Sequence, residues 1–330
     1  MKSAYPNPND EQQRIIDASL GGKRVVINAL AGTGKTTTLG MLAERHSARS
    51  MLYLAFNRQI AQEAGAAMPG RVNARTFHSL AFAAMRPPRE RLEQRLNGGF
   101  VAKTFRLGSA FVGGTMVAGS SIGDLALGTL SRFCASADRE LSIKHVPGPE
   151  AMFYTPPAKV AEDTHGWAGL CRTALDAARR MWAAQCDVDS TFPLTHDAYV
   201  KQWALRQPTI NADLILFDEA QDASPVFIDV IENQRSQPIW VGDQNQQIYA
   251  WRGAVDALSQ VNRSHTCYLT HSFRFDQRIA DPANHVLAAL GEENRLKGVG
   301  DGQYKEGGNR LSLTRTNVEA IKQFIEARQS

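Results

Sequence analysis

No run of about 18 apolar residues occurs in the chain, so it offers no candidate membrane span. The opening stretch, "MKSAYPNPNDEQQ", is polar and lacks the apolar centre of a signal peptide. Cysteine is scarce: Cys134, Cys171, Cys186 and Cys267 are all there is. None stands in a Cys-x-x-Cys pair, so neither a zinc knuckle nor a disulfide framework is indicated. The thiols are expected to be reduced and the chain intracellular. The histidines show no metal-ligand spacing. A strong excess of one charge is also missing: 37 Lys and Arg face 33 Asp and Glu, for a net charge of +4 and a pI near 8.9. That permits an anionic partner without demanding one, because the footprint of nucleic-acid binding is a clustered patch. No repeat with a period of roughly 20–50 residues is present, which excludes a solenoid. What remains is an ordinary globular composition, 43% hydrophobic and 21% charged, over 330 residues. That length suits about two domains.

Short β-branched apolar runs alternate with helix-like stretches at the start of the chain. "KRVVINAL", "SMLYLAF" and "RVNARTF" read as strands, and "TTTLGMLAERH", "NRQIAQEAGAAM" and "HSLAFAAM" as helices. Such alternation predicts a parallel sheet covered by helices on both faces. The pattern breaks at "RPPRERLEQRLNGG". Residues 86–195 then show mainly helical periodicity, interrupted by a Gly/Ser-rich piece, "GSAFVGGTMVAGSSIG", that has no clear assignment. Strand signal resumes with "DLILFDEA", "PIWVGD" and "TCYLTHSF". The expected organisation is one discontinuous α/β domain, residues 1–85 and 196–275, holding a helical insertion over 86–195. Residues 276–330 carry "LSLTRT" and "NVEAIKQFIEAR", which read as the opening strand and helix of another unit.

"ALAGTGKT", residues 29–36, sits between a buried strand and a helix. It fits a phosphate loop in which Ala29 takes the place of the first glycine. Gly32 and Gly34 let backbone N–H groups turn inward around a phosphate. Lys35 adds a point charge at the β/γ oxygens. Thr36 opens the helix and can ligate Mg²⁺ through its hydroxyl, and the helix N-terminus favours an anion. Ala31, Gly32, Thr33, Gly34, Lys35, Thr36 and Thr37 are therefore the candidate nucleotide-binding residues. "LILFDEAQD" ends a buried strand in Asp218 and Glu219. Ligands of open α/β sheets bind at such ends. Asp218 is the candidate Mg²⁺ residue, and Glu219 the group that polarises an attacking water. The bland alternative, an acidic strand end facing solvent, is disfavoured by the accompanying phosphate loop. Together the two segments point to a Mg²⁺-dependent NTPase.

"VGDQNQQIYAWRGA", residues 241–254, places Tyr249, Trp251 and Arg252 on a loop after a strand. Aromatic faces beside a cation suit base stacking along a single strand; taken locally, two aromatics packing a core is equally compatible. With "DEAQD", the stretch resembles motifs II and III of superfamily 1A DNA helicases, the UvrD/Rep/PcrA group. "NDEQQ" resembles that group's Q motif, "LAFNRQIAQEA" motif Ia, "ARTFHSLAF" motif Ib and "THSFRF" motif IV. "FCASADRELSIKHVP" and "LTHDAYVKQW" extend the resemblance toward the motor of F-box DNA helicases, so that it covers nearly the whole chain.

The resemblance implies a P-loop NTPase of RecA-like fold, with 86–195 as a 1B-like insertion and 276–330 as a second RecA-like domain that is only begun. It implies ATP and Mg²⁺ as cofactors, and single-stranded DNA, or a duplex with a single-stranded tail, as partner. Gln12 would read adenine, Phe273 would stack on it, and Arg274 would contact the γ-phosphate. Gln246 would sense that phosphate and couple it to the DNA loop, beside Lys35 and Glu219. Phe56, Asn57, Thr76, Phe77 and His78 would line the DNA path with Tyr249, Trp251 and Arg252. From its surroundings alone, the core-histidine reading of His78 is the favoured one. The group's "TxHxxKG" and "VAxTRA" patterns, motifs V and VI, do not occur in residues 276–330, and no F-box segment precedes the motor. No F-box-type partner is therefore expected. The chain is expected to be the N-terminal part of a 3′-to-5′ helicase acting in repair or recombination, and weak at unwinding without the C-terminal motor domain. The competing expectation is a shortened motor that serves as a nucleic-acid- or protein-binding module.

Overall fold

A computed structural model describes residues 5–46, 49–152, 158–247 and 257–301. The first part alternates as the sequence pattern predicts: α1 (Asp10–Leu20), β1 (Val25–Ala29), α2 (Lys35–Arg45), β2 (Met51–Ala55), α3 (Arg58–Ala67), β3 (Val72–Thr76) and α4 (Phe77–Met85). Helix starts are fixed by side chains that accept backbone N–H groups. Asn9 and Gln12 form a reciprocal capping box on α1, Asn57 caps α3, and Thr76 with Ser79 caps α4.

The insertion comprises α5 (Arg89–Leu92), α6 (Gly98–Phe105), β4 (Ala110–Val112), β5 (Thr115–Val117), α7 (Gly119–Ala135), α8 (Ala158–Glu162) and α9 (Thr164–Cys186). The Gly/Ser-rich piece without an assignment becomes a hairpin and the start of a helix. Val112 pairs with Thr115 across Gly113 and Gly114, whose φ values are 55° and 74°. A two-residue turn with both φ positive matches the twist of antiparallel strands and favours glycine. The remaining small residues serve close helix contact: a Cβ at Gly123 would lie 2.2 Å from the Gly98 carbonyl oxygen. Next, α10 (His196–Leu205) packs against α4, α7 and α9.

The chain then returns to the sheet through β6 (Leu214–Phe217), α11 (Pro225–Glu232), β7 (Gln237–Gly242), α12 (Ala257–Gln260) and β8 (His265–Leu269). It continues into β9 (His271–Ser272), α13 (Gln277–Ala289) and β10 (Lys297–Gly298). Six strands form one parallel sheet in the order β3-β2-β6-β7-β1-β8. Side chains alternate between its faces. Val25, Ile27, Tyr53, Leu216 and Val241 pack on one side with Ile15, Leu39 and Leu42 of α1 and α2. Val26, Leu54, Ile215, Phe217 and Trp240 pack on the other side in a core that continues through Phe133, Leu170 and Met181 of the insertion. Burial on both faces is why the central strands read as continuous apolar runs. β9 and β10 pair with each other outside this sheet. The expected strand and helix within 311–328 lie outside the described residues. Among the described residues no helix is long and apolar enough to cross a membrane.

Candidate functional site

The strand order sets β6, β7 and β1 side by side, so their C-terminal ends open on one edge. β1 leads into the phosphate loop. Gly32 and Gly34 have φ values of 75° and 77°, a region that costs an L side chain about 1–2 kcal/mol. Space is closed as well: a Cβ at Gly32 would lie 2.6 Å from Ser272 Oγ and 2.7 Å from Arg274 Cβ. Thr33 Oγ1 donates to the Leu30 carbonyl at 2.7 Å and holds the turn. α2 begins at Lys35, which puts Thr36 and Thr37 in its first turn, and Ala31 is half-buried in the loop before it.

Lys35 Nζ donates to Glu219 Oε2 at 2.7 Å. Asp218, 3% exposed, accepts from the Tyr53 hydroxyl at 2.5 Å and from the Glu219 amide at 2.9 Å. Burial first, and then the neighbouring Glu219 charge, push the Asp218 carboxyl above the usual aspartate range. The Thr36 side chain also lies near the Tyr53 phenol, so the hydroxyl and carboxylate expected to hold Mg²⁺ flank one side chain. Glu219 adopts φ 53°, a strained conformation for a non-glycine residue. Gln221 ties this end to the next strand. Its Nε2 donates to Glu219 Oε2 at 2.9 Å, and its Oε1 accepts the Asp243 amide at 3.0 Å. Asp243 is buried, which raises its pKa, and it accepts Gln246 Nε2 at 2.6 Å. A chain of contacts thus runs from Lys35 through Glu219, Gln221 and Asp243 to Gln246. Tyr53 and Gln221 were not anticipated from sequence. A buried phenol within "MLYLA" was the available signal, since such a hydroxyl needs a partner.

On the other flank of the loop, Phe273 N donates to the Gly32 carbonyl at 2.9 Å. A Cβ at Gly34 would sit 3.5 Å from the Phe273 ring and 3.7 Å from Gln12 Nε2. Gln12 and Phe273, far apart in sequence, therefore converge on one point of the phosphate loop. Phe273 is 50% exposed and offers a free ring face. Gln12 is buried, with Nε2 donating to Thr38 Oγ1 at 3.1 Å, which uses one of its two N–H groups.

Phe56, Asn57, Thr76 and His78 come together in a groove of about 950 Å³ between the sheet edge and the insertion. Phe82, His196, Tyr199 and Phe227 complete its walls. Sequence inspection missed these four because they lie on three separate helices. His78 is not a core histidine: it faces the groove, with Nε2 3.5 Å from Asp197 Oδ1. Phe77 corrects its expectation. It is 3% exposed and stacks on Phe227 at 4.0 Å, edge-on to Trp203 at 5.2 Å, so it supports the wall from within the core. Tyr249, Trp251 and Arg252 lie outside the described residues. A second cavity, of about 930 Å³, opens at the N-terminal edge of the sheet beside Arg49 and Asp213, away from the phosphate loop.

A parallel sheet with a phosphate loop after β1 and an acidic strand end two strands away defines the class, a P-loop NTPase domain. The family described as "AAA domain" matches residues 12–252. The chain is 36% identical over 287 residues to "F-box DNA helicase 1" of Gallus gallus, covering 82% of this chain and 26% of that protein. It is 32% identical over 324 residues to "F-box DNA helicase protein 1" of Schizosaccharomyces pombe, covering 91% and 35%. A shorter match, 34% over 96 residues, covers 26% of this chain and 13% of a "Probable DNA helicase II homolog" of Mycoplasma pneumoniae. The chain belongs to the AAA-domain family and carries a UvrD-like helicase motor domain. It spans about a quarter to a third of the length of the two F-box relatives.

Proposed function

We propose that the chain binds and hydrolyses ATP as part of a 3′-to-5′ DNA helicase or translocase acting on single-stranded or tailed duplex DNA in repair or recombination. The observation that carries this reading is the juxtaposition of Lys35 with Glu219, beside the buried Asp218 and wired through Gln221 to Gln246. The donor set fits Mg²⁺: one buried carboxylate and one hydroxyl, with substrate phosphates to complete the shell. Thr36 and Asp218 would hold the ion, which would neutralise charge on the β and γ oxygens. Lys35 binds those oxygens and so releases Glu219, whose carboxylate orients the attacking water and takes its proton. Arg274, pressed against Gly32, stabilises charge that develops on the γ-phosphate. Gln246 responds to that phosphate and moves the turn leading toward residues 249–252.

Support for DNA as the partner comes from the helicase relatives and from the groove that gathers Phe56, Asn57, Thr76 and His78. ATPase activity measured with and without single-stranded DNA tests the reading. Stimulation by DNA is expected, and Lys35→Ala should lower turnover by roughly 10²–10³-fold. Equal nucleotide binding by wild type and Lys35→Ala would sink it. Strand displacement on duplexes with 3′ or 5′ tails tests the polarity.

A further inference from the structure

Glu11 stands one residue before Gln12, in the first turn of α1, and none of the roles above uses it. Its side chain is only 11% exposed. Both carboxylate oxygens are committed to a single residue at the end of β8. Oε2 accepts the Thr270 amide at 2.8 Å, and Oε1 accepts the Thr270 hydroxyl at 2.6 Å. His271 Nδ1 lies 3.1 Å from Oε2, off the axis of a hydrogen bond. A bidentate contact fixes orientation as well as distance.

Thr270 begins the four-residue segment that ends in Phe273. At its other end that segment is pinned to the phosphate loop, where Phe273 N donates to the Gly32 carbonyl. The next residue is Arg274. Two walls of the base site thus come from elements about 260 residues apart in sequence: Gln12 on α1, and Phe273 after β9. Glu11 is the polar contact that ties those elements together at the site.

We propose that Glu11 is a positioning residue for base recognition: it clamps α1 to the Thr270 strand end and so sets the gap between the Gln12 amide and the Phe273 ring. The ligand it selects is an adenine nucleotide over a guanine nucleotide. This inference rests on the proposed ATP site. A hydrogen-bonding edge discriminates between bases only when it is held in register with the stacking platform. If the clamp is released, the ring still stacks on either purine, and the preference is lost.

The test is displacement of a fluorescent ATP analogue from the 330-residue chain by ATP and by GTP. Glu11→Ala should lower the preference for ATP over GTP by roughly tenfold, the worth of one well-aligned hydrogen bond. Thr270→Val keeps the backbone N–H and removes the hydroxyl, so a smaller shift in the same direction is expected; it decides the matter should Glu11→Ala not fold. Equal weakening of both nucleotides would mean that Glu11 merely supports the fold, and that result overturns the inference, as does an unchanged preference. A wild-type chain that binds ATP but shows no preference overturns base recognition by Gln12. Failure of the wild type to bind either nucleotide removes the ATP site itself.

Discussion

Asp218 is the residue at which stability and chemistry oppose each other. Its carboxylate is buried beside Glu219, and burial holds its pKa above the unfolded value. A raised folded pKa means that its contribution to stability is present below the unfolded pKa and is lost as pH rises through the folded one. At neutral pH the ionised form is therefore a liability, and the proposed function gives it the task of holding Mg²⁺. Asp218→Asn removes the charge and keeps an acceptor for the Tyr53 hydroxyl, at the cost of the oxygen that accepts the Glu219 amide. It should stabilise the nucleotide-free chain at neutral pH, by an amount reduced by the lost Glu219 contact, while abolishing hydrolysis. Denaturation at neutral pH and again near the ordinary aspartate pKa, about 3.9, checks the sign, because the gain should shrink at the lower pH. Lys35, Thr36, Asp218 and Glu219 were legible because their spacing to a strand end is local. Gln221 was not, since its significance lies in reaching Asp243, which is near it only after β6 and β7 pair. Phe77 misled for the related reason that a motif position does not state which way a side chain points.

At the scale of elements, the phosphate loop and the hairpin turn use glycine for the same two reasons, a left-handed φ and a lack of room. At Gly113, φ is 55° and a Cβ would fall 2.1 Å from the Lys159 carbonyl oxygen. The hairpin is thereby seated against α8. Gly113→Ala should cost about 2 kcal/mol or more, from backbone strain and overpacking together. Urea denaturation measures it, and a cost below about 0.5 kcal/mol, typical of open surface sites, would show that the turn is not seated as described. Composition alone leaves 108–123 without an assignment, because glycine and serine mark both turns and tight helix contacts; only the partner surfaces distinguish the two. The alternating strands and helices of the sheet carried no such ambiguity, since their apolar periods agree with the burial they acquire.

For the whole molecule, the decisive feature is that one core runs from the sheet into the insertion, so the groove between them has firm walls. Its lining includes Arg58, His78, Tyr199 and Phe227, with Asp197 and Asp222 among them. A strand held there by phosphate contacts should bind with an affinity that falls linearly in log–log salt titration, by about 0.7 per contacted phosphate. Fluorescence anisotropy of a labelled oligonucleotide at several salt concentrations measures the slope. A flat response would argue against backbone contacts in the groove. The sequence by itself determined the elements and the chemical types: a phosphate loop, an acidic strand end and a parallel α/β order are encoded in local spacing and apolar periodicity. Tertiary structure alone decided which of those residues meet. The order β6-β7-β1 brings Lys35 to Glu219, and α1 lies against the end of β8 so that Gln12 and Phe273 share one site. Such meetings depend on strand pairing and helix packing across the full chain, which no window of neighbouring residues contains.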